Sequence, residues 1–318
     1  MVLGHLRRLV DHLPHLDPVR LLAGRERHGL VAGREVPLPL LADLLDVPAL
    51  AVHDPDEVGH WSRNPTIADM PHFENQGVRL HYELHGPEEG PPTVFVNGYC
   101  SNYQINWVGS RWQETFVAAG RRVIGLEPRG HGASDKPHDP AAYGHNLVAD
   151  VVALLDHLAL ERADYVGYSM GSQIGLRTLV DHPARVRKSV LAGLGKHGLR
   201  GIGPSTETVA RRLRGDESVD DPIAVMFHDF AIRVPNNDLE ALACLALGSD
   251  TPLTAEMLAK IRTPVLIAVG GEDPIARGAK ELAGMIPGAI YFEVPGRDHA
   301  TAVPARALKE RALEFLAE

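Results

Sequence analysis

Three side chains in this sequence have the types and the order of a single nucleophilic device: Ser169, Asp273 and His299. A serine at its ordinary pKa attacks poorly, so it needs a base, and the base needs an acid to orient it. Ser169 lies in Val166-Gly167-Tyr168-Ser169-Met170-Gly171, which fits G-x-S-x-G, a sharp turn between a strand and a helix. Glycine at 167 and 171 removes the side chains that would collide with neighbouring backbone in so tight a turn. Asp273 stands in Gly270-Gly271-Glu272-Asp273-Pro274-Ile275, and His299 ends Pro295-Gly296-Arg297-Asp298-His299, each just past a strand-like run. In such a set Ser169 attacks, His299 takes and returns its proton, and Asp273 fixes the imidazole tautomer. Each residue has a plainer reading. Asp273 before Pro274 suits a helix N-cap, with Glu272 the alternative acid, and His299 could be a loop histidine. Asp298 reads as a solvated or loop-bracing carboxylate.

An attacked carbonyl also needs donors for the oxyanion. The residue after the nucleophile supplies one backbone N–H, here Met170, and a loop after an earlier strand supplies the other. That loop reads Asn97-Gly98-Tyr99-Cys100-Ser101-Asn102, so the N–H of Tyr99 is the second candidate and Gly98 is expected beside the substrate. A further loop, Leu126-Glu127-Pro128-Arg129-Gly130-His131-Gly132-Ala133-Ser134-Asp135, reads as a brace. His131 within it is a structural histidine rather than a base, because it precedes the serine.

These residues need a frame that brings them to one edge. From about residue 77 onward β-rich runs alternate with helical ones. Strands are expected at 93–96, 122–126, 165–166, 189–192, 265–269 and 290–294, and helices at 146–158 and 305–316. That alternation predicts an α/β fold with a mostly parallel central sheet flanked by helices. Residues 78–84 look like an antiparallel strand at one edge. Residues 74–196 and 261–318 form the core in this reading, and 197–260 is too long for a simple connection. Helix-like segments at 221–232, 238–247 and 254–260 make that insertion a helical cap. Met226, Phe227 and Phe230 are its candidates for lining a pocket, against the alternative that these, with Leu242, Leu245 and Leu247, form the cap's own core. Residues 1–73 are proline-rich and read as a helical or irregular arm, with an amphipathic helix over 3–16.

Composition narrows the function classes. The 318 residues carry a net charge of −9, which argues against a nucleic-acid partner. No run reaches the roughly 18 apolar residues of a membrane span, and Asp11 and His12 interrupt any signal-peptide core, so a cytoplasmic protein is expected. Cys100 and Cys244 read as two reduced thiols. The histidines of the arm (His5, His12, His15, His28, His53, His60) match no ligand spacing, so no metal is expected. The arm is a candidate for covering the cap or for exchange with a second copy, which would make a homo-oligomer.

Taken together, Asn97-Gly98-Tyr99, Glu127 to Ser134, Gly167 to Gly171, Gly271 to Ile275 and Gly296 to His299 resemble, in that order, the α/β-hydrolase superfamily and its capped esterase- or lactonase-like serine members. The resemblance implies an α/β-hydrolase fold, a cap between strands six and seven, and no metal or organic cofactor. It implies a carboxylic-ester hydrolase acting on a small-molecule ester or lactone, and the apolar side chains of the cap suit a substrate of medium size and hydrophobic character. A cofactor-free perhydrolase and a carbon–carbon bond hydrolase use the same three residues. A hydrolase-like small-molecule receptor is the reading from another class. Two positions depart from the family pattern: Asn97 stands where histidine is common, and Glu127 where aspartate is usual.

Overall fold

The computed structural model describes residues 28–31, 34–37 and 70–318, apart from 205 and 249. The chain divides into two compact units, 1–64 and 65–318. In the first, His28–Val31 and Arg34–Pro37 pair as antiparallel strands, where a helical or irregular arm was expected. The amphipathic helix expected over 3–16, and the arm histidines other than His28, lie outside the described residues.

In the second unit eight strands form one sheet. They are β1 (His72–Asn75), β2 (Val78–His85), β3 (Pro92–Val96), β4 (Arg122–Leu126), β5 (Ala163–Tyr168), β6 (Val186–Ala192), β7 (Val265–Gly270) and β8 (Ile290–Val294). Their spatial order is β8-β7-β6-β5-β3-β4-β2-β1. From β8 to β4 neighbours run parallel, while β2 is antiparallel to both β4 and β1. β1 is a correction to the expected arm boundary at 73. Gln76 and Gly77 both take positive φ, the signature of a tight hairpin turn, and fold Phe73 against Leu80. Residues from 72 onward therefore belong to the sheet, and β2 is second from the edge.

Side chains alternate across a strand, and here the alternation sorts the core into two layers. Val94, Val96, Ile124, Leu126, Ile267 and Val269 pack on one face with α2 (Asn146–His157), α3 (Met170–Asp181) and α8 (Ala279–Gly284). Phe95, Val123, Val166, Leu266 and Ala268 pack on the other with α1 (Trp112–Ala118) and α9 (Arg306–Ala317). Burial on both faces explains why these strands read as near-continuous apolar runs.

The insertion between β6 and β7 is helical: α4 (Glu207–Leu213), α5 (Pro222–Ala231), α6 (Leu239–Leu247) and α7 (Ala255–Leu258). Each begins with a side-chain cap, from Thr206, Asp221, Asp238 and Thr254 respectively, which satisfies amides that have no intrahelical partner. Cys100 and Cys244 are buried free thiols. Among the described residues no helix is long and apolar enough to cross a membrane.

Candidate active site

β5 delivers Ser169 to the turn before α3, with φ 53° and ψ −113°. A non-glycine residue there costs on the order of 1–3 kcal/mol and must be held by its surroundings. The hold is visible. Ser169 N–H donates to Ala192 O at 2.8 Å, Ser172 Oγ donates to the same carbonyl at 2.7 Å, and Tyr165 Oη donates to Gly171 O at 2.6 Å. A Cβ at Gly167 would strike the Gly171 carbonyl, and one at Gly171 would strike the carbonyl of Val96. Only glycine lets strand and helix cross this closely.

Asp273 follows β7 and His299 follows β8, and the parallel register brings both to the edge where β5 ends. His299 Nδ1 donates to Asp273 Oδ2 at 2.7 Å, which leaves Nε2 as the free ring nitrogen. Asp273 Oδ1 accepts from the N–H groups of Ile275 and Ala276 at 2.8 and 3.0 Å. The carboxylate is therefore both the helix-type cap and the histidine's partner; the two readings from sequence coincide. Its side chain is 1% exposed, against 20% for His299. Glu272 is exposed and Asp298 turns to its own loop, where Oδ1 accepts from Ala300 and Thr301. Tyr168 Oη donates to His299 O, and its ring lies 5.3 Å from the imidazole.

The loop after β3 is tightly laced. Asn97 Nδ2 donates to Gly98 O and Ser101 O, and Asn106 Oδ1 takes the Gly98 N–H at 3.1 Å. The backbone N–H groups of Tyr99 and Met170 have no acceptor among the described residues. The Tyr99 side chain turns to the cap, with Oη donating to Leu242 O at 2.6 Å and the ring edge-on to Phe227 at 5.2 Å. His131 is fully buried and accepts the Cys100 N–H at Nε2, so it braces this loop. Burial pushes its pKa down to about 4, which keeps it neutral. Glu127, at the position where the family pattern has aspartate, takes the N–H groups of Tyr103 and Ala133 on its two oxygens.

Ser169, His299 and Gly98 line a cavity of about 510 Å³ whose cap side carries Met226, Phe227 and Phe230. The pocket residues expected from sequence are thus gathered around Ser169, while Leu242 and Leu245 are buried in the cap's own core. A second cavity of about 360 Å³ also opens on Ser169 and is lined by Gln173, His197 and Arg200. Sequence reasoning missed that polar half. Only Gln173 left a signal, since it follows Ser169 by one helical turn. Asn106 was missed too, for it lies in a π-helical turn, Gln104–Val108, that no periodicity announces. Among the described residues no group of three or more His, Cys, Asp or Glu is placed to hold a metal ion.

Comparison with known proteins agrees with this geometry. A family model described as alpha/beta hydrolase fold matches residues 91–221. The chain is 28% identical over 227 residues to 3-oxoadipate enol-lactonase 2 of Acinetobacter baylyi, covering 64% of this chain and 81% of that one. It is 26% identical over 260 residues to a non-heme chloroperoxidase of Streptomyces lividans, covering 71% and 91%. The crystal structure of the enol-lactonase from Burkholderia xenovorans LB400 superposes with a TM-score of 0.64 at 25% identity, over 78% of this chain and all of that one. With the sheet order, the strained serine turn and the insertion after β6 all in place, this chain has the α/β-hydrolase fold.

Proposed function

We propose that this protein is a serine hydrolase that cleaves a carboxylic ester or lactone of medium size and hydrophobic character through an acyl-enzyme. The observation that carries the reading is the placement of Ser169 and His299 on one cavity, with the imidazole fixed by a buried Asp273 at 2.7 Å. Ser169 Oγ attacks the carbonyl carbon while His299 Nε2 takes its proton. The carbonyl oxygen becomes an oxyanion, and the N–H groups of Tyr99 and Met170 are free to receive it. The C–O bond to the alcohol then breaks, and the leaving oxygen takes the proton from His299. Water, deprotonated by His299, attacks the acyl-enzyme and releases the acid and free Ser169. For a lactone, acid and alcohol remain one molecule. Asp273 accepts from Nδ1 throughout and so holds that proton of His299 in place.

The walls support an apolar substrate portion, because Ile105, Met226 and Phe230 are over a third exposed and face this cavity. The names of the relatives favour the same chemistry, since the two enol-lactonases are named for lactone hydrolysis. The Streptomyces relative, named for halide peroxidation, supports a second reading in which peroxide replaces water at the acyl-enzyme. Hydrolysis of a p-nitrophenyl ester series and a lactone panel, by wild type and Ser169→Ala in parallel, tests the proposal. Activity that falls on the order of 10⁴- to 10⁶-fold in the variant supports it. A wild type inert on every ester and lactone sinks it.

A further inference from the structure

Ser169 stands where two cavities of different lining meet. Tyr99, Ser169, Phe227, Pro274 and Ile275 wall both. Beyond them the larger is the more apolar, with Ile105, Met226, Phe230 and Val303, and its one carboxylate besides, Asp298, is turned to its own loop, while the smaller carries Gln173, His197, Arg200, Thr206 and Asp221.

Most polar groups of the smaller cavity are already committed. The Gln173 amide exchanges two hydrogen bonds with Gly203, at 2.7 and 3.4 Å. Thr206 caps α4, and Asp221 Oδ1 accepts the first amides of α5 from Ile223 and Ala224. Burial, with His299 and Arg200 nearby, holds the His197 pKa below the usual imidazole range, so it is neutral near pH 7. Arg200 differs. Its guanidinium makes no hydrogen bond or ion pair among the described residues, although its backbone N–H donates to His197 O at 3.0 Å and anchors the stem. Arg211 and Arg214 of the cap, by contrast, are spent on Asp216 and Glu240.

A planar guanidinium with five unused donors matches a carboxylate in two-pronged geometry. A cationic ligand would instead meet Arg200 as a like charge. It would find at Asp221 a carboxylate with one oxygen already occupied by two amides. We propose that the substrate is anionic: a carboxylate at one end binds Arg200 in the smaller cavity, the apolar end fills the larger, and the scissile carbonyl lies between them at Ser169. This assignment rests on the ester-hydrolase reading above and names its substrate class, an ester or lactone of a carboxylate-bearing molecule. Arg200 is then a specificity residue that touches substrate away from the reacting atoms.

The test uses two matched pairs, so that either seating of the charge is read. The anion is on the acyl side in p-nitrophenyl hemiglutarate against p-nitrophenyl valerate. It is on the alcohol side in 4-acetoxybenzoate against 4-methylphenyl acetate. In at least one pair Arg200→Gln should lower kcat/KM for the anionic ester by about 10-fold, mainly through KM, and leave the neutral ester within about 2-fold. Arg200→Lys should recover part of the loss, and added salt should shrink the wild-type preference because Arg200 is exposed. Equal losses on both members, or no loss on either, in both pairs would overturn the assignment. Binding of 4-acetoxybenzoate to Ser169→Ala protein, followed by calorimetry, reads the anion subsite without turnover. Binding about 10-fold weaker when Arg200→Gln is added supports it, and unchanged binding counts against it. A wild type that turns over none of the four esters yet shows this Arg200-dependent binding would sink the hydrolase reading and leave the anion subsite standing.

Discussion

The loops at the carboxyl edge of the sheet and the helical cap above them are held by different physics. In the loops, buried polar groups reach from one segment to the next. Arg129, 1% exposed, binds Asp150 through two hydrogen bonds of 2.7 and 2.6 Å, and Asn75 of β1 adds a third at 2.8 Å. Glu127 and His131 then tie this loop to the segment after β3. These ties hold the loops around Ser169 to one another before any ligand arrives. The cap stands on helix caps, its own Leu242 and Leu245 core, and a few ties such as Asn237 Nδ2 to Cys100 O at 2.9 Å. It turns Met226 and Phe230, over a third exposed, toward the cavity. Under the proposed function the contrast predicts a division of labour: the loops set a chemistry common to all substrates, and the cap sorts substrates.

The largest effect should come from Asp273→Asn, which keeps the shape but offers His299 an amide where the carboxylate stood. The imidazole then prefers the wrong tautomer, and kcat should fall on the order of 10³- to 10⁴-fold. If the loops carry the chemistry, the loss is the same for short and long acyl chains, and steady-state kinetics on an ester series reads it. A loss that varies with chain length would break the division, because the acid would then be shaping the pocket.

How much of this was legible in the sequence follows the same line. Strand cores and the turn at Ser169 announced themselves because burial on both faces leaves continuous apolar runs and because Gly167 and Gly171 admit no substitute. The bracing role of His131 and the helices starting near 221, 238 and 254 were also readable, since each depends on local order. β1 was not. Its four residues, His72–Asn75, show no alternation and become a strand only through pairing with β2. α4 was missed as well, although its Thr206 cap has the same form as that of Thr254. Arg200 could not be singled out at all. An arginine without a partner looks like any other until the carboxylates around it have been assigned.

A smaller effect concerns pH. His131 is neutral and buried, with a folded pKa of about 4, while an unfolded histidine titrates near 6.5. Between those values the unfolded chain binds a proton that the folded chain refuses, so stability rises with pH across the window and is lost as pH falls from about 6.5 toward 4. The contribution amounts to roughly 2–3 kcal/mol at the acid end. His131→Gln can still accept the Cys100 N–H but does not titrate. Urea unfolding at pH 7.5 and 4.5 should therefore show a shallower loss in the variant by about that amount. Equal slopes would mean that the loop opens to admit the proton, and the rigidity assigned to this region would be wrong.

The smallest effect tests the cap. Phe230 is 37% exposed on α5 and faces the apolar cavity, so it makes few contacts that the folded state needs. Phe230→Ala should cost less than about 1.5 kcal/mol of stability, well below the 3–5 kcal/mol of a fully buried phenylalanine. On a long acyl chain it removes about 1–2 kcal/mol of apolar contact, or about 10-fold in kcat/KM, while acetate esters too short to reach α5 should change by less than about 2-fold. Asp273→Asn and Phe230→Ala thus make opposite demands on one ester series: a vertical drop for the first, a change of slope with chain length for the second. If Phe230→Ala lowers all esters equally, the cap acts on the reacting geometry, most directly through Phe227, which sits on the same helix and packs edge-on against Tyr99. The two regions would then be one machine.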